Sequence, residues 1–329
     1  MKTYNWAILG CGGIAQKFSN DLKLLPNARL YAAASRNLKK AQAFAAEYGF
    51  EKAFGSYEDM TADPDVDVVY VASPHSHHHE HTLLCLKYKK AVLCEKAFAL
   101  NLREAQEMVD MARKNNLFLM EAFWTQFQPG FLKTLEIINS GELGALKIVR
   151  SDFAFNADKD PNNRMYNLAL GGGSLLDIGI YPVFAALRLL GKPAKIKAMA
   201  DFAKTGAEES VAVIFKYDTG QMATLASSFA AYSTVQAEFW CEKGYARLNR
   251  EWHIPTTLSV FRAAANKEET LNYKDDPGFG YQYEAAHVME CLNAGKTESD
   301  VLPLSFSLDL METLDRIRNE VGAFYPGRD

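Results

Sequence analysis

The sequence predicts an α/β protein: a doubly wound parallel sheet at the N-terminus, then an α+β domain dominated by a large, mostly antiparallel sheet. Three observations carry this expectation. Short apolar runs alternate with helix-like stretches over the first third of the chain, a glycine-rich turn follows the first run, and beyond about Lys195 turn residues cut the chain into strand-length pieces. With 329 residues, 48% of them hydrophobic, the chain exceeds what one core usually serves, so two domains are expected, 1–122 and 123–329.

Residues 5–9, 30–34, 66–72, 91–94 and 117–120 read as strands buried on both faces, because apolar residues follow one another without alternation. Between them, 38–48 and 101–114 are rich in Ala, Leu and Glu with apolar residues at helical spacing, completing a βαβα rhythm. The rhythm changes after about Phe123. A helix at 131–140 precedes a long strand at 145–155, and a flexible glycine turn at 171–173 leads into an apolar helix. Strands at 210–217, 221–229, 234–241, 246–249 and 258–262 are separated by turns such as Asp218-Thr219-Gly220 and Glu242-Lys243-Gly244. Helices at 281–294 and 305–321 close the chain.

A net charge of −4 with scattered Lys and Arg argues against nucleic acid or an anionic membrane as partner. Five cysteines, Cys11, Cys85, Cys94, Cys241 and Cys291, show no close pairing and fit reduced thiols. No signal-peptide pattern and no apolar run of bilayer length is read, so a cytoplasmic location is expected.

Directly after the first strand stands Gly10-Cys11-Gly12-Gly13-Ile14-Ala15, the G-x-G-x-x-A form of the dinucleotide fingerprint that defines a Rossmann domain. Gly10 permits the tight turn, Gly12 lets the backbone approach a pyrophosphate, and Ala15 lets the helix pack on the strand, with phosphate at the helix N-terminus. The second strand ends Ala33-Ala34-Ser35-Arg36. An acid there would bond a ribose 2′-hydroxyl and repel a 2′-phosphate; Ser35 and Arg36 offer a hydroxyl and a guanidinium instead, which favours NADP(H).

Lys96, in Leu93-Cys94-Glu95-Lys96, falls just past the fourth of these strands, at the sheet edge where such folds bind ligands. Asp177 and Tyr181 stand four apart in an apolar helix, on one face of it. Moving a hydride to or from a hydroxyl-bearing carbon needs a group that moves the hydroxyl proton. A tyrosine beside an ammonium is suited to this, because the positive charge favours the phenolate.

The runs GCGGIA, ASPHSHH, CEK and GGGSLLDIGIYP, with the Ser35-Arg36 pair, occur in an order and spacing that resemble the glucose–fructose oxidoreductase/inositol dehydrogenase (Gfo/Idh/MocA) superfamily over nearly the whole chain. The stretch 120–129, MEAFWTQFQP, is similar to its dimeric dihydrodiol dehydrogenase and NADP-dependent D-xylose dehydrogenase branch. The resemblance implies an NADP(H)-dependent oxidoreductase acting on a sugar, polyol or trans-dihydrodiol, with Lys96 as catalytic lysine, Tyr181 as acid/base and Asp177 as the aspartate one turn before it. It further implies Gly13, Ile14, Ser73, Pro74, His78 and Glu95 as cofactor contacts and a homodimer built on the large sheet. The sequence departs from the family pattern at Ala97, where the family has Pro, and at Gln126, where it has Arg; the latter removes a positive charge near the presumed substrate site.

Trp124, Phe127, Phe153, Phe155 and Phe279 are candidates for an apolar substrate wall, Trp124 first among them. His75, His77, His78, His79 and His81 crowd one segment, but no matching Cys or carboxylate motif accompanies them and no metal is expected. For His78, a helix starting just after Pro74 would favour the neutral ring. Two other readings are a 1,5-anhydrofructose-type reductase and a catalytically idle NADP sensor or co-regulator; a sensor would need neither Lys96 nor Tyr181.

Overall fold

A computed structural model describes residues 2–329 and divides the chain into two compact units. The first comprises residues up to Trp124 together with Pro277–Leu308; the second comprises Thr125–Asp276 and Asp309–Asp329. The division expected from sequence, a single cut at 122/123, differs in that the 277–308 segment returns to the first unit. The reason is a buried carboxylate. Asp21 accepts the backbone N–H of Phe279 at 2.8 Å and of Tyr281 at 2.9 Å, while the Leu119 N–H donates to the Thr297 carbonyl at 3.1 Å.

In the first unit six parallel strands lie in the order β3-β2-β1-β4-β5-β6, with β1 Tyr4–Leu9, β2 Ala28–Ala34, β3 Lys52–Phe54, β4 Val68–Val71, β5 Ala91–Glu95 and β6 Leu119–Ala122. The helices α1 Gly13–Leu22, α2 Leu38–Tyr48, α3 Tyr57–Ala62, α4 His78–Lys87 and α5 Leu102–Lys114 alternate with the strands. Their ends follow from local chemistry. Asn37, Ser56 and Asn101 accept the N–H three residues on as N-caps, and Arg113 and Lys114 sit at the negative C-terminal end of α5. Phe18 of α1 stacks on Tyr70 of β4 at 3.7 Å, a contact worth about 0.5–1.5 kcal/mol beyond the area it buries. Strand β3 and helix α3 escaped the sequence reading because they are three and six residues long.

The second unit carries α6 Pro129–Asn139, β7 Leu146–Ala154, α7 Ile180–Leu190, β8 Lys195–Phe202, β9 Glu208–Lys216, β10 Met222–Ser228, β11 Ala237–Cys241, β12 Gly244–Leu248, β13 Thr257–Arg262 and β14 Lys267–Asn272. Its eight strands run β14-β13-β12-β11-β7-β10-β9-β8, antiparallel except where β10 pairs β7 in parallel. Alternation sets its faces: in β9 Val211, Val213 and Phe215 are buried while Ala212, Ile214 and Lys216 are exposed. Strand β14, KEETLN, has no such alternation and reads as polar sequence, yet it pairs along the edge of β13. Helix α8, Tyr281–Asn293, belongs to the first unit, and α9, Leu304–Val321, starts there and continues into the second.

Against the sequence expectation, one stretch among the described residues is long and apolar enough to cross a membrane, Leu168–Leu190; 83% of its apolar window is buried within the protein, which marks it as core. Across it the chain is not uniformly α-helical. Leu175–Gly179 forms a π-helical turn before α7 begins.

Candidate functional site

In the first unit the carboxyl ends of β1, β4 and β5 gather the candidate cofactor residues. Gly10 has φ +102, and a Cβ there would lie 3.0 Å from the Ala72 carbonyl oxygen, so the turn after β1 passes against the end of β4 too closely for a side chain. Gly12 caps α1 without any side-chain bond, and the first helical bond runs from Gln16 N–H to the Gly12 carbonyl. The amides of Gly13, Ile14 and Ala15 are therefore left outside the helix ladder, no acidic residue stands in the first turn, and nothing lies within 4 Å of where a Cβ on Gly13 would be. This is a cradle that fits a pyrophosphate.

At the end of β2, Ser35 is buried and its Oγ accepts the Asn37 N–H at 3.3 Å, while Arg36 is exposed and, among the described residues, no carboxylate forms a salt bridge with it. Cys11 is a buried thiol held by the Ala34 carbonyl, its pKa pushed up to about 11 by burial.

After β4, Ser73 and the exposed Pro74 precede a 3₁₀ turn, His75–His77, so α4 begins at His78 itself. The His78 ring bridges two carbonyls, Ala97 at 2.7 Å and Ser73 at 2.8 Å. Two acceptors call for a doubly protonated ring, but burial and the neighbouring His75 outweigh them, and the pKa falls to about 3. Burial, the largest cause, disfavours the charged ring, whereas the sequence expectation invokes the helix N-terminus. Glu95 ends β5: one carboxylate oxygen accepts the Tyr70 hydroxyl and the other the Lys96 N–H at 3.1 Å. Lys96 is partly exposed, its bond to the buried Ala97 is cis, and the Ala97 carbonyl is the one that holds His78. Trp124 is buried and stacks flat on Tyr281 at 4.0 Å, whereas Phe279 is exposed with the Lys17 ammonium 5.4 Å from its ring centre.

In the second unit Tyr181, the second residue of α7, is packed among rings: His253 at 5.2 Å, Phe153 at 5.5 Å and Trp252 at 6.4 Å. His253 also lies 4.4 Å from Phe153. Phe155, just past the end of β7, packs on the cluster of Tyr166, Ile178 and Phe229. Asp177 stands in the π-turn, so its four-residue spacing from Tyr181 is not that of an α-helical face. Its two carboxylate oxygens take the Arg164 guanidinium at 3.2 and 3.3 Å.

The glycines before the turn are not flexible spacers as the sequence reading expects. A Cβ on Gly172 would lie 2.7 Å from the Asn167 nitrogen, and one on Gly173 would strike the Glu208 carboxylate, so close packing is what requires glycine there. Gln126, expected near the presumed substrate site, is fully buried and accepts the Arg188 Nε–H at 2.9 Å. Phe127 is buried beside it in sequence.

Residues 4–123 match the family described as "Oxidoreductase family, NAD-binding Rossmann fold", and residues 131–247 match the "GFO/IDH/MocA C-terminal domain". The chain belongs to the GFO/IDH/MocA oxidoreductase family. It is 37% identical over 328 residues to the trans-1,2-dihydrobenzene-1,2-diol dehydrogenase of Mus musculus, covering 98% of both chains. Its fold is shared by solved oxidoreductase structures. Levoglucosan dehydrogenase in complex with NADH and L-sorbose superposes with TM-score 0.89 at 19% identity, covering 98% of this chain and 97% of that one. KijD10, a 3-ketoreductase from Actinomadura kijaniata in complex with NADP and TDP-benzene, gives 0.87 at 24%, covering 97% and 98%. A family oxidoreductase with a Rossmann NAD(P)-binding fold is thereby established.

Sequence reasoning missed Arg164, Tyr281, Trp252 and His253. Trp252 and His253 lie in a loop between β12 and β13 with no periodic signal, and Arg164 lies thirteen residues before its partner. Tyr281 was read only as a helix start, with nothing local to connect it to Trp124.

Proposed function

We propose that this protein is an NADP(H)-dependent dehydrogenase or reductase acting on the hydroxyl or carbonyl carbon of a trans-dihydrodiol, sugar or polyol. The observation that carries the reading is the ring-lined surrounding of Tyr181, a phenol set against Phe153, Trp252 and His253, in a chain similar at full length to dihydrodiol dehydrogenases. Such a wall suits an unsaturated diol ring or the apolar face of a sugar.

The amides of Gly13, Ile14 and Ala15 hold the cofactor's pyrophosphate, Arg36 and Ser35 its 2′-phosphate, and Ser73, Pro74, His78, Glu95 and Lys96 its nicotinamide half. The bound nicotinamide supplies or accepts the hydride. In the oxidising direction Tyr181 takes the hydroxyl proton as the carbonyl forms, and in the reducing direction it returns that proton. Lys96 supplies the positive charge that favours the phenolate. Asp177, clamped by Arg164, holds the π-turn that leads to Tyr181. The apolar side chains Met199 and Ile214, exposed on adjacent strands of the large sheet, support a homodimer. A cytoplasmic location remains the accompanying expectation.

The test is titration of the purified protein with NADPH and NADH by fluorescence, followed by turnover assays on trans-dihydrodiols, D-xylose, D-glucose and 1,5-anhydrofructose. NADPH preference with turnover of a diol or sugar is expected, and Lys96→Ala is expected to bind NADPH without turning over. Tight binding with no turnover on any substrate would favour a sensor, and failure to bind either nucleotide would end the reading.

A further inference from the structure

We propose a binding site for a borderline divalent transition-metal ion, with Zn²⁺ as its probe, formed by His77, Glu80 and His81 where the 3₁₀ turn meets α4. Sequence reading expects no metal at the histidine-rich segment because no carboxylate motif accompanies it; the structure supplies the carboxylate from within the segment. Of the five clustered histidines, His78 is spent on two carbonyls and His79 turns to Glu107 on α5 at 2.8 Å. His77 and His81 converge instead.

Their rings stack at 5.5 Å, and one ligand atom from each of His77, Glu80 and His81 lies within 4.8 Å of the others. Zinc–nitrogen and zinc–oxygen bonds near 2.0–2.1 Å place tetrahedral ligand atoms about 3.3–3.5 Å apart. The His81 Nε2 to Glu80 Oε1 separation is 3.4 Å, already of that size. His77 Nδ1 and Glu80 Oε1 share a 2.7 Å contact that must open by about 0.6 Å, a side-chain adjustment at an exposed glutamate. The outer partner of a metal-binding histidine is also in place: His81 Nδ1 lies 2.9 Å from Ser73 Oγ, which fixes the ring with Nε2 towards Glu80.

Two imidazoles and a carboxylate suit Zn²⁺, Co²⁺, Ni²⁺ or Cu²⁺ rather than Mg²⁺ or Ca²⁺, and three protein ligands leave the fourth position to water. A second cluster, His287, Cys291 and Asp300, is less prepared: His287 Nε2 faces both Ser299 and Cys291, and Asp300 is paired with Lys296.

Full-length protein stripped with a chelator and titrated with Zn²⁺ by calorimetry should bind one equivalent, unaffected by excess Ca²⁺. His77→Gln and His81→Gln should each weaken binding by more than about 10-fold, and Zn²⁺ should raise the melting temperature of the parent protein alone. His77 and Glu80 are partly solvent-exposed, so metal-free His77→Gln and Glu80→Gln should melt as the parent does, separating ligand loss from misfolding. Co²⁺ should give a visible spectrum without a thiolate charge-transfer band. No saturable Zn²⁺ binding, undiminished binding in both histidine variants, or a thiolate band, which would put the metal at Cys291, would each overturn the proposal.

Discussion

The two units build their candidate functional surfaces by different means. In the first, the candidate groups are main-chain amides and side chains within six residues of a strand end: Gly10–Ala15 after β1, Ser35 and Arg36 after β2, Ser73 after β4, Lys96 after β5. A parallel sheet aligns the carboxyl ends of its strands, so topology alone collects them. In the second, Tyr181 is surrounded by Phe153 from β7 and by Trp252 and His253 from a distant loop, and packing alone joins them. A backbone cradle tolerates any side chain that leaves its amides clear, whereas a wall of rings can be altered one ring at a time. Cofactor binding and substrate choice should therefore be separable by mutation.

The sharpest break should come at Tyr181. Tyr181→Phe keeps the ring contacts and removes the hydroxyl, so kcat should fall about 10²–10⁴-fold while the NADPH titration stays where it was. Next in size is Gly10→Ala, which forces a Cβ to 3.0 Å from the Ala72 oxygen at φ +102. That should cost about 1–3 kcal/mol of stability and weaken NADPH and NADH together, read by melting and by fluorescence titration. Arg36→Ala should act on one cofactor only: losing a charge-assisted contact of about 1.5–3 kcal/mol lowers NADPH affinity roughly 10–100-fold and leaves NADH unchanged. Equal losses for both would remove Arg36 from the 2′-phosphate.

The smallest effect concerns pH and the glycine turn. Burial lifts Glu208 from 4.5 to about 7. A carboxyl that holds its proton more tightly folded than unfolded contributes stability that is complete below pH 4.5 and is lost as pH rises through 7. Glu208→Gln keeps an acceptor for the Leu175 N–H, 3.1 Å away, and removes the titration. Denaturant melts from pH 4.5 to 8 should show the parent losing on the order of 1–3 kcal/mol relative to the variant; parallel curves would mean Glu208 is ionised at no cost.

What was legible in the sequence follows the same division. The glycine fingerprint, the missing acid after β2 and the lysine after β5 are read from neighbouring residues, and the alternation that marks β9 and β10 needs no partner to be seen. The return of 277–308 to the first unit was not legible, because it depends on Asp21, an acid in a helix whose partners are backbone amides more than 250 residues away. Strand β14 was hidden because an exposed edge strand carries no hydrophobic period. The Arg164–Asp177 pair and the rings around Tyr181 are joined by packing, which no local spacing encodes. Gln126 shows the limit of a one-letter comparison: the position where the resemblance implies Arg is buried and already partnered by Arg188.

The π-turn at Leu175–Gly179 has a further consequence, which concerns phase. A π-turn holds one residue more than an α-turn in the same span, and each residue of an α-helix advances the screw by about 100°. Everything downstream in α7, the Tyr181 phenol included, is thus indexed by that single extra residue. Removing one residue from 175–179 would leave a continuous helix of similar composition with the phenol rotated off the face it now presents. The helix would survive as a cylinder and lose its address.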